Sequence, residues 1–146
     1  MSYLVVDSHC HLDYEGLAER LPEVLANAEA ADVGLMVSIG TQVKKFDRLL
    51  RIAENNANVF CTVGTHPHHA HEELDVGVAE LVELAKHPKV VGIGEAGLDY
   101  HYDLSPREAQ AQGFRAHIAA ARETGLPLVI HAREADGDVA SILEEE

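Results

Sequence analysis

Short apolar segments alternate five times with longer stretches of helical periodicity in this chain of 146 residues, and this alternation restricts the fold more than any other feature. The apolar segments are residues 4–6, 33–39, 59–63, 90–93 and 128–130. Ten or more residues separate one segment from the next, which is too many for tight hairpins and enough for helices. The pattern predicts a parallel sheet with helical crossovers, either an open doubly wound sheet or a (β/α)8 barrel.

The intervening stretches predict the helices. The first covers residues 16–31, and the fourth starts at Ser105-Pro106 with proline at its first helical position and ends at Thr124-Gly125. No G-x-G-x-x-G motif follows the first strand, which removes support for a dinucleotide-binding sheet. A similar glycine pattern at residues 92–97 begins inside a predicted strand, so it is discounted.

Composition indicates one domain over residues 1–146 and limits the partners. The formal net charge of -14 argues against broad adhesion to nucleic acid or an anionic membrane. It leaves a phosphate substrate open, because bound divalent cations reverse the local field of an acidic site. No apolar run spans a bilayer, and no signal peptide is recognised. With only Cys10 and Cys61, a reduced, cytoplasmic setting is expected.

Histidines follow the first apolar segment. His9 and His11 alternate, so in an extended strand they project to the same side, while Cys10 faces the other. Two imidazoles from one strand end can bind one metal ion, although an isolated H-x-H also occurs as a surface pair.

Further ligand-type residues follow the other predicted strands. Glu95 comes after residues 90–93, and His131 directly follows residues 128–130. A carboxylate at such a position is partly buried and therefore costly unless it is paired or bound to a metal. The carboxyl ends of parallel strands share one face. We therefore predict a metal site built from His9, His11, Glu95 and His131.

The remaining candidates are assigned weaker roles. His66 lies between a strand and a proline and is expected to orient substrate or a ligand. Arg133 is placed to meet a phosphate, with a salt bridge to Glu134 or Asp136 as the alternative. The histidines at positions 68, 69 and 71 are interpreted as a solvated loop, and the one at position 117 as structural.

Four segments together resemble the TatD-type metal-dependent deoxyribonucleases of the amidohydrolase superfamily. They are Val-Val-Asp-Ser-His-Cys-His-Leu-Asp at 5–13, Gly-Thr-His-Pro-His at 64–68, Gly-Ile-Gly-Glu-Ala-Gly-Leu-Asp-Tyr at 92–100, and Pro-Leu-Val-Ile-His-Ala-Arg at 127–133. The segments occur in family order and extend over nearly the whole chain.

The resemblance implies an α/β fold, the (β/α)8 TIM barrel, and two divalent ions, with Mg or Mn favoured and Zn also suited. His9 and His11 would bind one ion, Glu95 would bridge both as the catalytic carboxylate, and His131 would bind the second. The family also supplies a histidine from strand six and an aspartate from strand eight. A complete barrel takes ~250 residues, so the chain is expected to cover about the first five βα units. We interpret it as an incomplete barrel: a truncated piece of a longer protein or, as an alternative, half of a dimer.

The function implied is that of a metal-dependent deoxyribonuclease, an exonuclease that acts on single-stranded DNA or 3′ ends by two-metal activation of water. Two alternatives remain open at this point. One is an amidohydrolase acting on another ester or amide, for example an aminoacyl-tRNA ester. The other is a metal-binding fragment without turnover.

Overall fold

The computed structural model describes residues 5–146, in which five strands and five longer helices alternate. The strands are β1 (Val5–Cys10), β2 (Val33–Ser38), β3 (Val59–Val63), β4 (Val90–Asp99) and β5 (Leu128–Arg133). The helices are α1 (Leu21–Ala30), α2 (Phe46–Asn55), α3 (Val78–Leu84), α4 (Arg107–Thr124) and α5 (Asp136–Glu145). Short 3-10 turns at Ala18–Arg20, Val43–Lys45 and Pro67–Glu72 connect some of them.

All strands lie in one parallel sheet with the order β1-β2-β3-β4-β5. Sequence neighbours are spatial neighbours throughout, as in the wall of a barrel and unlike a doubly wound sheet, whose order reverses. The structure therefore confirms the predicted TIM-barrel class as a half-barrel of five βα units. Within residues 5–146, β1 and β5 each pair along one side and form the two edges of the sheet.

Two apolar clusters attach the helices to the sheet. The larger joins α2 and α3 to β2, β3 and β4 through fully buried side chains that include Leu49, Val59, Leu81 and Ile93. The smaller joins α4 and α5 to the second half of β4, where Leu98 packs with Phe114 and Ile142. The helices are thereby packed against the sheet whose strand ends carry the ligand-type side chains.

Three strands extend further than their apolar runs predict. The fourth strand was expected to end at Ile93, but β4 continues to Asp99, so Glu95 lies within the strand rather than after it. Likewise β1 includes His9, and β5 continues through His131 to Arg133. Polar side chains at these positions face the site at the open sheet end, so hydropathy alone underestimates strand length. Position 4, included in the first predicted strand, lies outside the described residues.

Two helix starts also differ from prediction. The first helix begins at Leu21 rather than Gly16, because Gly16 has a φ of 85° and a 3-10 turn follows it. Pro106 is not the first helical residue of α4: with ψ of 136° it precedes the helix as its N-cap. The end of α4 is as predicted, since Gly125 adopts the left-handed conformation that closes many helices.

A membrane-crossing helix, one both long and apolar enough for a bilayer, is not found anywhere in residues 5–146.

Candidate metal centre

The carboxyl ends of the strands converge on a cleft of about 440 Å³. It is lined by His9, His11, Tyr14, Thr41, His66, His68, His69, Glu95, His131 and Arg133. All six predicted site residues, metal-ligating and substrate-binding alike, are therefore in one cleft. They come from β1, β4, β5 and the segments that follow β1 and β3.

Within this cleft the ligand atoms form two groups, and Glu95 belongs to both. One group is His9, His11 and Glu95; the other is His66, Glu95 and His131, and in each the atoms lie within 4.8 Å of one another. The two oxygens of Glu95 point to different groups, with Oε2 lying 3.5 Å from His9 Nε2 and Oε1 lying 3.0 Å from His131 Nδ1. This is the disposition of a carboxylate that can bridge two ions.

His66 has a more central position than its predicted role in orienting substrate. Its Nε2 lies 3.1 Å from Nδ1 of His131. Burial and repulsion from His131 lower the pKa of His66 to about 3, so its ring is neutral and has a lone pair to offer. The structure thus places His66 among the possible ligands.

A close approach of two glycines brings these groups together. A side chain on Gly64, which follows β3, would place its Cβ 2.5 Å from the Cα of Gly94 in β4. Only glycine permits this spacing. The approach sets His66, two residues after Gly64, beside Glu95, one residue after Gly94.

His131 and Glu95 shift each other's pKa in opposite directions. Its hydrogen bond to Glu95 raises the pKa of His131, an effect that burial opposes. Burial raises the pKa of Glu95, but the hydrogen bond from His131 and the nearby histidines outweigh it and leave that pKa below its usual value. Glu95 is 7% exposed and ionised, and within residues 5–146 the groups that compensate its buried charge are imidazoles.

The donor set fits divalent metal ions. Imidazole nitrogens and a bridging carboxylate suit zinc and manganese, and a carboxylate with open positions for oxygen ligands suits magnesium. Two such ions would neutralise the buried charge of Glu95. The four predicted ligands, together with His66, therefore offer donor atoms of a type that suits these ions.

Asp99 is a candidate site residue that the strand pattern did not predict. Its carboxylate is fully buried, and Oδ2 accepts hydrogen bonds from His131 Nε2 and His68 Nε2, each at 2.9 Å. Burial raises the pKa of Asp99, but the Tyr102 amide and these imidazoles lower it well below its usual range. Strand alternation places Glu95 and Asp99 on the same side of β4, and this pattern would have identified the residue had the strand been extended past Ile93.

The loop after β3 is less exposed to solvent than predicted. His68 lines the cleft and hydrogen-bonds to Asp99, so its interpretation as a solvated side chain is wrong. His69 also lines the cleft, with Nδ1 3.3 Å from Glu72 Oε2, and His71 Nε2 lies 3.9 Å from Glu72 Oε1.

Arg133 lies at the rim of the cleft. Neither predicted salt bridge forms: Glu134 pairs with His101, while the guanidinium of Arg133 lies over the Tyr102 ring and 3.8 Å from Asp99 Oδ2. The side chain is 47% exposed, so its donors remain accessible to an anion in the cleft.

A buried polar network supports the loop that carries His66. The Thr65 amide donates to Nε2 of His117, a buried histidine that also bonds to the Gly113 carbonyl, which agrees with its predicted structural role. The Thr65 hydroxyl donates to Glu73, which also accepts from the amides of Val43 and Lys44 at 2.9 and 2.8 Å. Glu73 therefore joins the loop after β3 to the turn that precedes α2.

A parallel half-barrel whose strand ends present histidine groups linked by one carboxylate defines the class of barrel-type metal-dependent hydrolases. Within this class, the chain belongs to the TatD-related DNase family, whose model matches residues 6–146.

Relatives and a solved structure agree with this assignment. The chain is similar to the uncharacterized metal-dependent hydrolase YabD of Bacillus subtilis, with 39% identity over 98% of this chain and 56% of that protein. It is 40% identical to the 3′-5′ ssDNA/RNA exonuclease TatD of Pantoea vagans over 84% of this chain and 47% of that protein. The crystal structure of the TatD homologue YjjV of Escherichia coli superposes with a TM-score of 0.88 at 29% identity, covering 96% of this chain and 55% of that one. The chain thus spans about half the length of these proteins.

Proposed function

We propose that this chain supplies the first half of the active site of a nuclease that removes nucleotides from an end of single-stranded DNA by two-metal hydrolysis. The observation that carries the proposal is Glu95, whose two carboxylate oxygens are directed to two separate histidine groups. A single carboxylate placed in this way suits a pair of ions that share it. When bound, such a pair lowers the pKa of a water molecule and stabilises both the attacking and the leaving oxygen of a phosphodiester.

The residues of the chain have distinct roles in this proposal. His9 and His11 hold one position, His66 and His131 hold the other, and Glu95 joins them. Arg133, exposed at the rim, binds a non-bridging oxygen of the scissile phosphate and orients it. Asp99 fixes the ring of His131 from behind. The relative in Pantoea vagans described as a 3′-5′ ssDNA/RNA exonuclease supports nucleic acid as the substrate class.

The experiment is a nuclease assay with 5′-labelled and 3′-labelled single-stranded oligonucleotides in Mg²⁺, Mn²⁺ or Zn²⁺, run beside the Glu95→Gln variant. We expect stepwise loss of nucleotides from one end, abolished by EDTA and by Glu95→Gln. A second substrate, an aminoacyl ester of transfer RNA, tests the alternative amidohydrolase chemistry. Hydrolysis of that ester without nucleotide release would replace the nuclease assignment, and metal binding without either reaction would leave a binding fragment.

A further inference from the structure

The cations of the chain are distributed unevenly with respect to the metal cleft. Lys45, in the turn before α2, and Arg48 and Arg51, within α2, are exposed. Within residues 5–146 none of them has a carboxylate within 4.0 Å or a side-chain hydrogen bond. The other lysines and arginines all bond to carboxylates, backbone carbonyls or both, or lie close to one, as Arg133 does to Asp99. The chain has a formal net charge of -14, and its three cations without a bonded partner are neighbours in and just before α2.

These three cations line two cavities that continue from the metal cleft. Tyr14 and Thr41 belong both to the cleft and to an adjoining cavity of about 190 Å³, which Lys45 and Arg48 also line. Arg48 is in turn shared with a second cavity of about 410 Å³, where it is joined by Arg51. The cleft and the two cavities therefore adjoin one another through shared lining residues and mark a path beside α2.

The start of this path is an exposed aromatic surface. Tyr14 stacks on His11 with ring centroids 4.4 Å apart and an interplanar angle of 16°, and the residue remains 45% exposed. A flat ring fixed in this way suits a nucleobase.

Three acidic groups share the two cavities with these cations: Asp13 and Glu15 line the first, and Glu19 lines the second. Glu19 accepts the Gly16 amide, and Asp13 is half-buried. Glu15 is the exposed carboxylate of the first cavity. The cations therefore lie on the α2 side of the path, and its carboxylates lie on the segment between β1 and α1.

We propose that Lys45, Arg48 and Arg51 form a binding track for the phosphate backbone of a single-stranded nucleic acid whose end lies in the metal cleft. Residues three apart lie on neighbouring positions of one helix face, and six residues of helix extend about 9 Å. With one phosphate for each of the three cations, the track would make three backbone contacts. The proposal rests on the proposed function for the identity of the polymer, but it assigns residues outside the metal site.

The test is binding, measured without turnover by fluorescence anisotropy of labelled oligothymidylates of three and twelve residues in EDTA. The track variant is Lys45→Gln/Arg48→Gln/Arg51→Gln. The control, Lys86→Gln/Arg115→Gln/Arg122→Gln, removes the same charge from cations elsewhere on the surface. Circular dichroism establishes that both variants are folded.

We expect the track variant to bind the twelve-residue strand at least about tenfold more weakly than the control. The slope of log Kd against log salt should fall by about 2, since each single-strand phosphate contact contributes about 0.7. The three-residue strand, which ends near the cleft, should be affected much less. Equal affinities and slopes for track and control variants would overturn the track, and equal wild-type affinity for a blunt duplex would overturn its assignment to single strands.

The result of this binding test can be distinguished from the result of the nuclease assay. Binding that depends on the track without any metal-dependent hydrolysis would refute the nuclease and leave the track standing. Metal-dependent hydrolysis by a track variant that binds the twelve-residue strand as tightly as the control would refute the track and leave the nuclease standing.

Discussion

At the scale of single residues, the cleft is organised by two buried carboxylates on β4 with different tasks. Glu95 faces the histidine nitrogens on both sides, whereas Asp99 contacts the far nitrogen of His131 and holds that ring in place. A carboxylate behind a histidine ligand fixes the tautomer and orientation of the ring and increases its basicity. The contribution of Asp99 to metal affinity is therefore expected to be large although it touches no ion.

The change Asp99→Asn tests this role. The amide keeps the shape but has one neutral oxygen, which cannot serve His131, His68 and the Tyr102 amide as the carboxylate does. We expect metal affinity to fall about 10- to 100-fold, as measured by isothermal titration calorimetry and by the visible spectrum of bound Co²⁺. Asp103→Asn, on the exposed loop after β4, is the control and should bind metal like the wild type.

The buried His117 gives a pH dependence of stability. Burial lowers its pKa below the ordinary value of 6.5, so the folded state keeps the ring neutral while the unfolded chain binds a proton. The contribution of His117 is therefore intact above pH 6.5 and is lost as pH falls below it, by up to about 1.4 kcal/mol per pH unit.

The matched variant is His117→Gln, whose amide oxygen can still accept from Thr65 but does not titrate in this range. Urea unfolding at intervals from pH 7.5 to 5 should give a shallower loss of stability for the variant. Parallel curves for the two proteins would show that His117 is protonated equally in both states.

At the scale of elements, the alternation of apolar and amphipathic segments was sufficient to predict every strand, the order of the helices and the parallel sheet. The site was predicted from the same pattern, because His9, Glu95 and His131 follow or end apolar runs. Strand ends could not be placed, since polar residues that face the site interrupt the hydropathy of β1, β4 and β5. Asp99 was missed for this reason, and His68 was interpreted as solvated because its hydrogen-bond partner is Asp99. The role of His66 depends on a glycine contact that sequence spacing does not reveal.

Gly97 tests how closely β4 and β5 must approach. Its φ is 150°, and an added Cβ would lie 2.0 Å from the His131 carbonyl oxygen, so Gly97→Ala must push the two strands apart. We expect a loss of roughly 2 kcal/mol or more in the free energy of unfolding, together with weaker metal binding through displaced His131.

Gly137→Ala serves as the comparison for Gly97→Ala. This glycine lies in α5 with open space around its Cβ position, so alanine should be neutral or stabilise by about 0.5–1 kcal/mol. Denaturation in urea measures both variants. Similar stabilities for the two would show that β4 and β5 tolerate the side chain.

At the scale of the whole molecule, the half-barrel leaves backbone and apolar side chains at its edges accessible. Val6 of β1 lies opposite Leu35 of β2 in the register, and the two are 52% and 42% exposed. Exposed strand edges with apolar side chains favour pairing with another sheet. The chain of 146 residues is therefore expected to self-associate as its concentration rises.

Val6→Lys places a charge on this edge and should shift the chain toward monomer. Leu104→Lys is the comparison, since Leu104 is 59% exposed in the segment between β4 and α4 rather than on the sheet. Light scattering coupled to size-exclusion chromatography over a range of concentrations gives the masses. Unchanged association of the Val6 variant would place the contact elsewhere.

The hydrogen bonds of Glu73 have a consequence for how the molecule opens. The Glu73 carboxylate accepts hydrogen bonds from the amides of Val43 and Lys44 and from the hydroxyl of Thr65. Separating the turn before α2 from the loop after β3 would break these bonds and expose a buried carboxylate. These two segments are then expected to form a single cooperative unit in hydrogen exchange, with matched opening free energies. Fluctuations that displace His66 would then also displace the start of α2. We therefore expect the candidate ligand His66 and the cations of the track to leave and regain their positions in the same opening event.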